Sequence, residues 1–287
     1  MPPDLAAVAY GIASAVSWGA GDFGGGVASR RSPLFGVLTF GQAAGVSIVV
    51  ALAVLAGEPA PPGAAVAWAV AAGVSGAVGL AALYRGLAVG RMGVVAPVSA
   101  VLSAAIPVVV GAFGEGRPPA TKLAGFALAL AGIWLVAGAG AGAGATASGP
   151  GERRAGLGLA LLAGLGFGGF LVLMDRGAQG GTYWPLAAAR GTSLVLALAA
   201  SLALRRPWVP SRAALPVILL SGALDAGGNA FFVLASQAGR LDVAAVLSSM
   251  YPASTVALAA VVLRERVSRP QGVGIAAVLV AIALIAG

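Results

Sequence analysis

Long runs of apolar residues, separated by short polar or charged segments, follow one another along the whole 287-residue chain. Each run holds about 20 residues, which is the length that an α-helix needs to cross the hydrocarbon core of a bilayer. The pattern therefore predicts an all-α integral membrane protein with ten transmembrane helices, five in each half. The predicted helices cover residues 5–27, 34–55, 64–88, 93–113, 120–138, 156–174, 185–204, 212–236, 243–263 and 268–286.

The two halves are joined by a segment that is rich in small residues. Residues 138–151 read GAGAGAGATASGPG, a composition that is typical of a flexible linker. The linker divides the chain into a first five-helix repeat at residues 1–137 and a second at residues 152–287. No basic segment precedes the first apolar run, so we expect that run to remain as a spanning helix and not to act as a signal peptide.

One motif occurs in both halves. Residues 86–125 and residues 235–274 each pass a Gly-Arg turn, continue as an apolar run with serines and proline, and reach a glutamate. The two copies lie in register, which indicates an internal duplication. Because each copy holds an odd number of spans, the second must enter the membrane from the opposite side. The sequence therefore predicts two inverted repeats, an architecture that is typical of secondary transporters.

The composition agrees with a membrane protein and argues against several other classes of protein. Hydrophobic residues make up 59% of the chain and charged residues 9%, well below the roughly 25% of a soluble domain. The chain has neither cysteine nor histidine, so disulfides, thiolate or zinc sites and haem ligation are not expected. We therefore expect no cofactor and no metal.

The net charge of +8 does not indicate nucleic acid, because arginines at the ends of apolar runs are the usual mark of cytoplasmic loops. The loops after the first, third, fifth, seventh and ninth predicted helices carry most of the arginines. This bias predicts that both termini lie outside the cell. The expected partners are a small-molecule substrate and the lipid bilayer, and a homodimer is left open.

Short motifs connect the chain with a known family. Trp18-Gly19 lies in the first helix, prolines lie within the fourth and ninth helices, and a glutamate ends each of those two. In the second half, LSSMYP at residues 247–252 leads to Arg264-Glu265-Arg266. With these motifs the chain resembles the EamA-type members of the drug/metabolite transporter superfamily over nearly its whole length. The first half departs from the family pattern, since its prolines stand at positions 97 and 107.

The resemblance implies a multi-pass protein of the cytoplasmic (inner) membrane with both termini in the cytoplasm, in conflict with the charge bias. Export of amino acids and other metabolites is common in that family. We therefore expect a secondary transporter, and by the resemblance an exporter, that moves a small organic metabolite by alternating access. Proton coupling is left open.

Two other functions remain as alternatives. A polytopic membrane enzyme or lipid-handling protein is disfavoured, because the loops are short and hold no nucleophile-base pair or cluster of carboxylates. A permease subunit that depends on a partner is compatible with the sequence, because the chain has no P-loop motif and so cannot use ATP by itself.

Charged side chains inside a span are costly, at about 2.5–3.5 kcal/mol or more each at the helix centre, so each one marks a candidate functional position. They either form structural ion pairs or line a polar cavity that binds substrate or a coupling ion. If transport is coupled to protons, one of the two aspartates must carry the proton, because histidine is absent. The four such residues well within predicted helices are Asp22, Arg85, Arg190 and Asp225. A fifth charge, Asp175, is expected to pair with Arg176 at the membrane surface.

The remaining candidates are aromatic, amide and hydroxyl side chains near these charges or near a proline. Asp22 and Asp225 each have a neighbour at i, i−4 or i, i+4 on the same helix face. Alignment of the two repeats places a tyrosine of the third helix on the face equivalent to that of Asp225. Serines near the prolines either contact solute or bond to their own helix. These candidates are Trp18, Tyr84, Ser99, Ser103, Asn229, Ser248 and Tyr251.

Overall fold

A computed structural model describes residues 3–29, 32–89, 92–114, 116, 118–139, 150–262 and 268–286. These residues form eleven helices and no strand, which confirms the all-helical class. The helices are α1 (Pro3–Ser29), α2 (Leu34–Leu55), α3 (Gly63–Val89), α4 (Met92–Gly114), α5 (Ala120–Ala139), α6 (Pro150–Gly177), α7 (Tyr183–Ala203), α8 (Leu215–Ala238), α9 (Leu241–Ser248), α10 (Tyr251–Val262) and α11 (Arg269–Ala286). The expected linker loses two residues at each end to α5 and α6, and its centre lies outside the described residues.

The ninth predicted span, residues 243–263, is two helices and not one. α9 ends at Ser248, and α10 begins at Tyr251 after a two-residue turn. Pro252 accounts for the interruption, because proline has no N–H to donate to the carbonyl four residues earlier and is strongly disfavoured in a helix interior. The prediction of one continuous helix is wrong here, since the helix is interrupted between Ser248 and Tyr251.

The two halves of the chain pack against each other and do not form separate bundles. The most extensive helix contacts are between α1 and α8 and between α3 and α6. α5 packs along α11, α2 packs on α7 and α8, and α3 packs on α7. The contacts come in matched sets in which the halves change places: α1 with α8 corresponds to α6 with α3, and α2 with α8 corresponds to α7 with α3.

Contacts between antiparallel helices define two ends of the bundle. At one end α1, α3 and α5 begin while α8, α6 and α11 end. We name this end the terminal face, because the described chain starts and finishes there; the other end, which holds residues 205–214 and the start of α2, is the opposite face. The contacts at the terminal face are Gly239 against Ala7, Gly177 against Ala69 and Gly125 against Ile285.

The helices have the length and the surface of membrane spans. Within the described residues, five segments are long and apolar enough to cross a bilayer by themselves, and three further apolar helices are shorter. Large apolar side chains such as Leu55, Phe113 and Val195 are exposed on the outside of the bundle, which in a membrane protein is the lipid-facing surface. The five segments are Leu34–Leu55, Gly63–Leu83, Gly156–Gly177, Tyr183–Ala203 and Leu215–Ala238.

Candidate functional site

Serine hydroxyls hold α1 against α8 by reaching across to backbone carbonyls. Ser14 donates to the Gly228 carbonyl at 2.8 Å, and Ser17 donates to the Leu224 carbonyl at 2.7 Å. A third bond runs in the other direction, from the Ser221 hydroxyl of α8 to the Gly21 carbonyl of α1. Such bonds between helices in an apolar environment fix how the helices are rotated. They therefore also fix the positions of the predicted aromatic and acidic residues, which lie on the neighbouring faces of α1 and α8.

An ion pair lies near the middle of the bundle, between α7 and α8. Arg190 Nη2 is 2.6 Å from Asp225 Oδ2. The Arg190 side chain is 3% exposed and the Asp225 side chain is 41% exposed, so the guanidinium is buried while the carboxylate faces open space. Gly45 of α2 makes room for Arg190, because a Cβ at that position would lie 2.7 Å from Arg190 Cζ. Arg190 and Asp225 therefore form an ion pair, which is one of the two alternatives that the sequence left open for intramembrane charges.

Asp22 of α1 brings a second carboxylate to this pair. Its side chain is exposed, and its carboxylate is near enough to that of Asp225 for the two to repel each other. Within the described residues no side chain forms an ion pair with Asp22. With both carboxylates ionised, Asp22, Arg190 and Asp225 together would carry one negative charge in excess, which attracts a cationic group of a solute or a coupling ion. We call these three residues the charge cluster.

An aromatic wall stands beside the charge cluster. Trp18 Nε1 donates to Asn229 Oδ1 at 3.1 Å. The Trp18 ring stacks on Phe232 with a centroid distance of 6.2 Å and meets the edge of Tyr251 at 6.4 Å. Trp18 lies over Gly228, whose missing side chain leaves space for the indole. The structure therefore brings together Trp18, Asn229 and Tyr251, which the sequence proposed from three different helices.

Three of the other predicted site residues are buried serines, and two cannot be placed. Ser99 and Ser103 of α4 are buried, and Ser103 donates to the Ala100 carbonyl of its own helix, as expected for a single helical serine. Ser248 is fully buried, and its hydroxyl has no hydrogen-bond partner among the described residues. The side chains of Tyr84 and Arg85 lie outside the described part of the structure.

Sequence reasoning missed one carboxylate, Glu58, which lies between the second and third predicted helices. The Glu58 carboxylate accepts hydrogen bonds from the amides of Thr182, Tyr183 and Trp184 at 2.9–3.0 Å. These are the free N–H groups at the start of α7, where a negative charge is favourable. Glu58 thereby fixes the terminal-face end of the helix that carries Arg190.

Sequence reasoning also missed polar atoms on α2 next to the charge cluster. Gln42 lies one turn before Gly45, and its Oε1 has no hydrogen-bond partner among the described residues. Arg190 Nε is likewise without a partner there. Buried polar atoms are nearly always satisfied, so this side of the charge cluster holds a donor and an acceptor whose bonds are not made within the described chain. The available signal was its amide side chain, since Gln42 is the one amide residue in the apolar run of residues 34–55 and polar side chains within spans are notable.

The chain is a multi-pass helical membrane protein with charged side chains inside its bundle. A solved structure described as "Crystal structure of protein" is 18% identical in sequence and superposes with a TM-score of 0.80, covering 97% of this chain and 95% of that chain. At this identity the likeness shows a common fold. No match was found among curated proteins.

Residues 154–287 match the model of the EamA-like transporter family. The resemblance noted in the sequence is therefore confirmed over the second half of the chain, from the first turns of α6 to the end of α11. The match covers the half in which LSSMYP and the following glutamate keep the family pattern.

Proposed function

We propose that the protein is a secondary transporter that moves a small amphipathic metabolite, such as an amino acid or a related solute, by alternating access. The solute site is the charge cluster together with the aromatic wall of Trp18, Asn229 and Tyr251. The resemblance to metabolite exporters favours export across the cytoplasmic membrane. The family match supports transport, and the geometry of the charge cluster supports this location for the site.

The observation that carries the proposal is the Arg190–Asp225 pair with Asp22 beside it. Burying an ion pair in an apolar bundle brings little net stability, because desolvation offsets most of the attraction. A third charge that repels one member of the pair makes the arrangement less stable still. Intramembrane charges of this kind typically mark the path of a substrate or ion. The unsatisfied atoms of Gln42 and Arg190 add hydrogen-bonding capacity at the same place.

Two features of the fold support alternating access. The helix contacts repeat with the two halves exchanged, which is the relation that inverted five-helix repeats produce when each copy crosses the membrane in opposite sense. The break between α9 and α10 is a discontinuous helix within the second repeat, and such helices line substrate sites in many secondary transporters. We accordingly propose ten crossings, with α9 and α10 together forming the ninth.

Binding can be tested with the purified protein before any transport assay. Thermal unfolding is measured with amino acids, sugars, nucleosides and organic cations added one class at a time. A solute that binds only the folded state raises the free energy of unfolding by about 2.7 kcal/mol at a hundredfold excess over Kd. We expect one class to raise the unfolding temperature, and we expect Asp225→Asn to remove that increase.

Glu152→Gln is the matched control, because Glu152 is in the first turn of α6 and outside the charge cluster. It is expected to keep the ligand-induced increase. A stabilising ligand whose effect is the same in Asp225→Asn and in Glu152→Gln would contradict the proposed site. The absence of stabilisation by all four classes would contradict a small polar solute as the substrate.

A further inference from the structure

The turn between α8 and α9 is tied to the connection between α4 and α5 at the terminal face. Arg240 Nη2 donates to the Gly116 carbonyl at 2.8 Å and to Asp242 Oδ2 at 2.8 Å. Arg240 Nε also contacts Asp242 Oδ1 at 3.1 Å, so the pair is bidentate. Bidentate arginine-carboxylate pairs are among the strongest and most directional polar contacts. One arginine therefore joins two connections that are far apart in the sequence.

Asp242 makes this contact from inside the protein. Its side chain is 0% exposed, while that of Arg240 is 25% exposed. Asp242 lies in the first turn of α9, and every residue of that helix is buried. Gly111 of α4 is packed against it, so that a Cβ on Gly111 would lie 3.4 Å from Asp242 Cβ. The start of α9 is thus enclosed between α4 and the α8–α9 turn, which closes the bundle at this point.

A small cleft lies directly beside the closed point. Its volume is about 180 Å³, and it lies between the end of α4, the end of α6 and the start of α9. Asp175, Arg176 and Gln179 supply polar groups to its lining, which also includes Leu241, the residue before Asp242. Asp175 and Arg176, which the sequence predicted to pair, both line this polar cleft at the terminal face, but no salt bridge joins them among the described residues. A separation of α9 from α4 would extend this cleft towards the interior of the bundle.

The equivalent turn of the first half lacks the acidic partner. In the register of the repeat, Arg240-Leu241-Asp242 corresponds to Arg91-Met92-Gly93. Glycine has no side chain to hold the arginine, so the same pair cannot form at the α3–α4 turn. The two repeats therefore differ at this turn: the second has an arginine-aspartate pair and the first has none. In an inverted-repeat transporter, equivalent turns of the two repeats are expected to close opposite faces of the membrane alternately.

We propose that the Arg240–Asp242 pair, bound to the Gly116 carbonyl, is a latch that closes the terminal face of the transport pathway. This inference rests on the proposed transport function and concerns the control of the same site. Opening separates the α8–α9 turn from the α4–α5 connection and lets water reach Asp242. Solute passes between the charge cluster and the terminal face only when this latch is broken.

The absence of native cysteine allows the latch to be tested by thiol labelling. Ser236 of α8 is the reporter position: it is 9% exposed, lies one turn before the α8–α9 connection and is near Asp175. Purified Ser236→Cys protein is treated with a sulfonated maleimide, a charged reagent that reaches only thiols in contact with water. Adding Asp242→Asn is expected to raise the labelling rate about tenfold or more, because labelling of a transiently open state follows its population.

Two controls separate opening of the latch from other effects. Arg91→Gln changes the equivalent arginine of the first half and is expected to leave Ser236→Cys labelling unchanged. Ala129→Cys, in the fully buried α5–α11 contact, is expected to stay unlabelled in the Asp242→Asn background. If Ala129→Cys is also labelled, that variant has lost its fold, and Arg240→Lys, which keeps the charge but not the bidentate contact, takes its place with the same expected increase.

Unchanged labelling of Ser236→Cys in a folded Asp242→Asn or Arg240→Lys protein would overturn the latch. The result does not depend on knowing the substrate. If labelling increases as expected but the purified protein moves no solute, the latch stands and the proposed function fails. If the protein transports and labelling is unchanged, the function stands and the latch fails.

Discussion

Replacing Asp225 with leucine is expected to lower the free energy of unfolding by about 3 kcal/mol. Removal of one partner from a buried ion pair typically costs about 3–5 kcal/mol, because the other charge is left uncompensated. Arg190 is 3% exposed and has no second carboxylate within bonding distance among the described residues. The lower end of the range applies because Asp225 itself is 41% exposed, so water already screens part of the attraction. Unfolding of the detergent-solubilised protein by heat or denaturant, followed by tryptophan fluorescence, measures the loss.

Substitution of the other member of the ion pair supplies the control. Arg190→Met leaves an anion on a side chain that water can reach, so we expect a smaller loss than in Asp225→Leu. Joining the two substitutions removes both charges, and the double variant should be more stable than Asp225→Leu alone. Equal losses in the two single variants, or additive losses in the double variant, would show that the pair does not act as described.

The second large effect is expected at Gly166, where α6 and α3 are in backbone contact. A Cβ at Gly166 would lie 2.5 Å from Gly79 Cα and 2.6 Å from Gly79 N. These atoms belong to the backbone and cannot move aside by a change of rotamer. The same contact is held by a bond of 2.8 Å from Ser75 Oγ to the Gly166 carbonyl. Gly166→Ala should therefore force the two helices apart and cost about 1–3 kcal/mol in the same unfolding measurement.

Gly158 provides a matched comparison on the same helix. A Cβ at Gly158 meets nothing within 4 Å, so Gly158→Ala should be neutral or should stabilise the protein by up to about 1 kcal/mol, the helix preference of alanine over glycine. A stability of Gly166→Ala equal to that of Gly158→Ala would contradict the close approach of α3 and α6.

The sequence predicted most of the fold because its dominant signal is local. A run of about 20 apolar residues specifies a spanning helix whatever it packs against, and nine of the ten predicted spans correspond to one helix each. The break before Tyr251 was not predicted, because the apolar run is continuous and a proline in a span produces either a kink or a break. Which of the two occurs depends on the neighbouring helices, and α9 is surrounded by α1, α4 and α8.

The candidate site was predicted in part, for a related physical reason. Charged residues inside spans are conspicuous in sequence, so Asp22, Arg190 and Asp225 were found. Their partners depend on which helices meet, and the pairing of Arg190 with Asp225 over Gly45 could not be deduced from spacing. Glu58 was missed because the amides it caps lie more than 120 positions away in the sequence, and its own neighbourhood reads as an ordinary loop.

Vectorial uptake into liposomes that contain only the purified protein tests the central proposal most directly. The assay uses radiolabelled amino acids or the solute class that stabilises the protein, and compares the unmodified chain with Asp22→Asn, Asp225→Asn and the control Glu152→Gln. We expect uptake by the unmodified protein and by Glu152→Gln, and loss of most uptake in both aspartate variants while they remain folded. Normal uptake in both aspartate variants would contradict the charge cluster as the transport site.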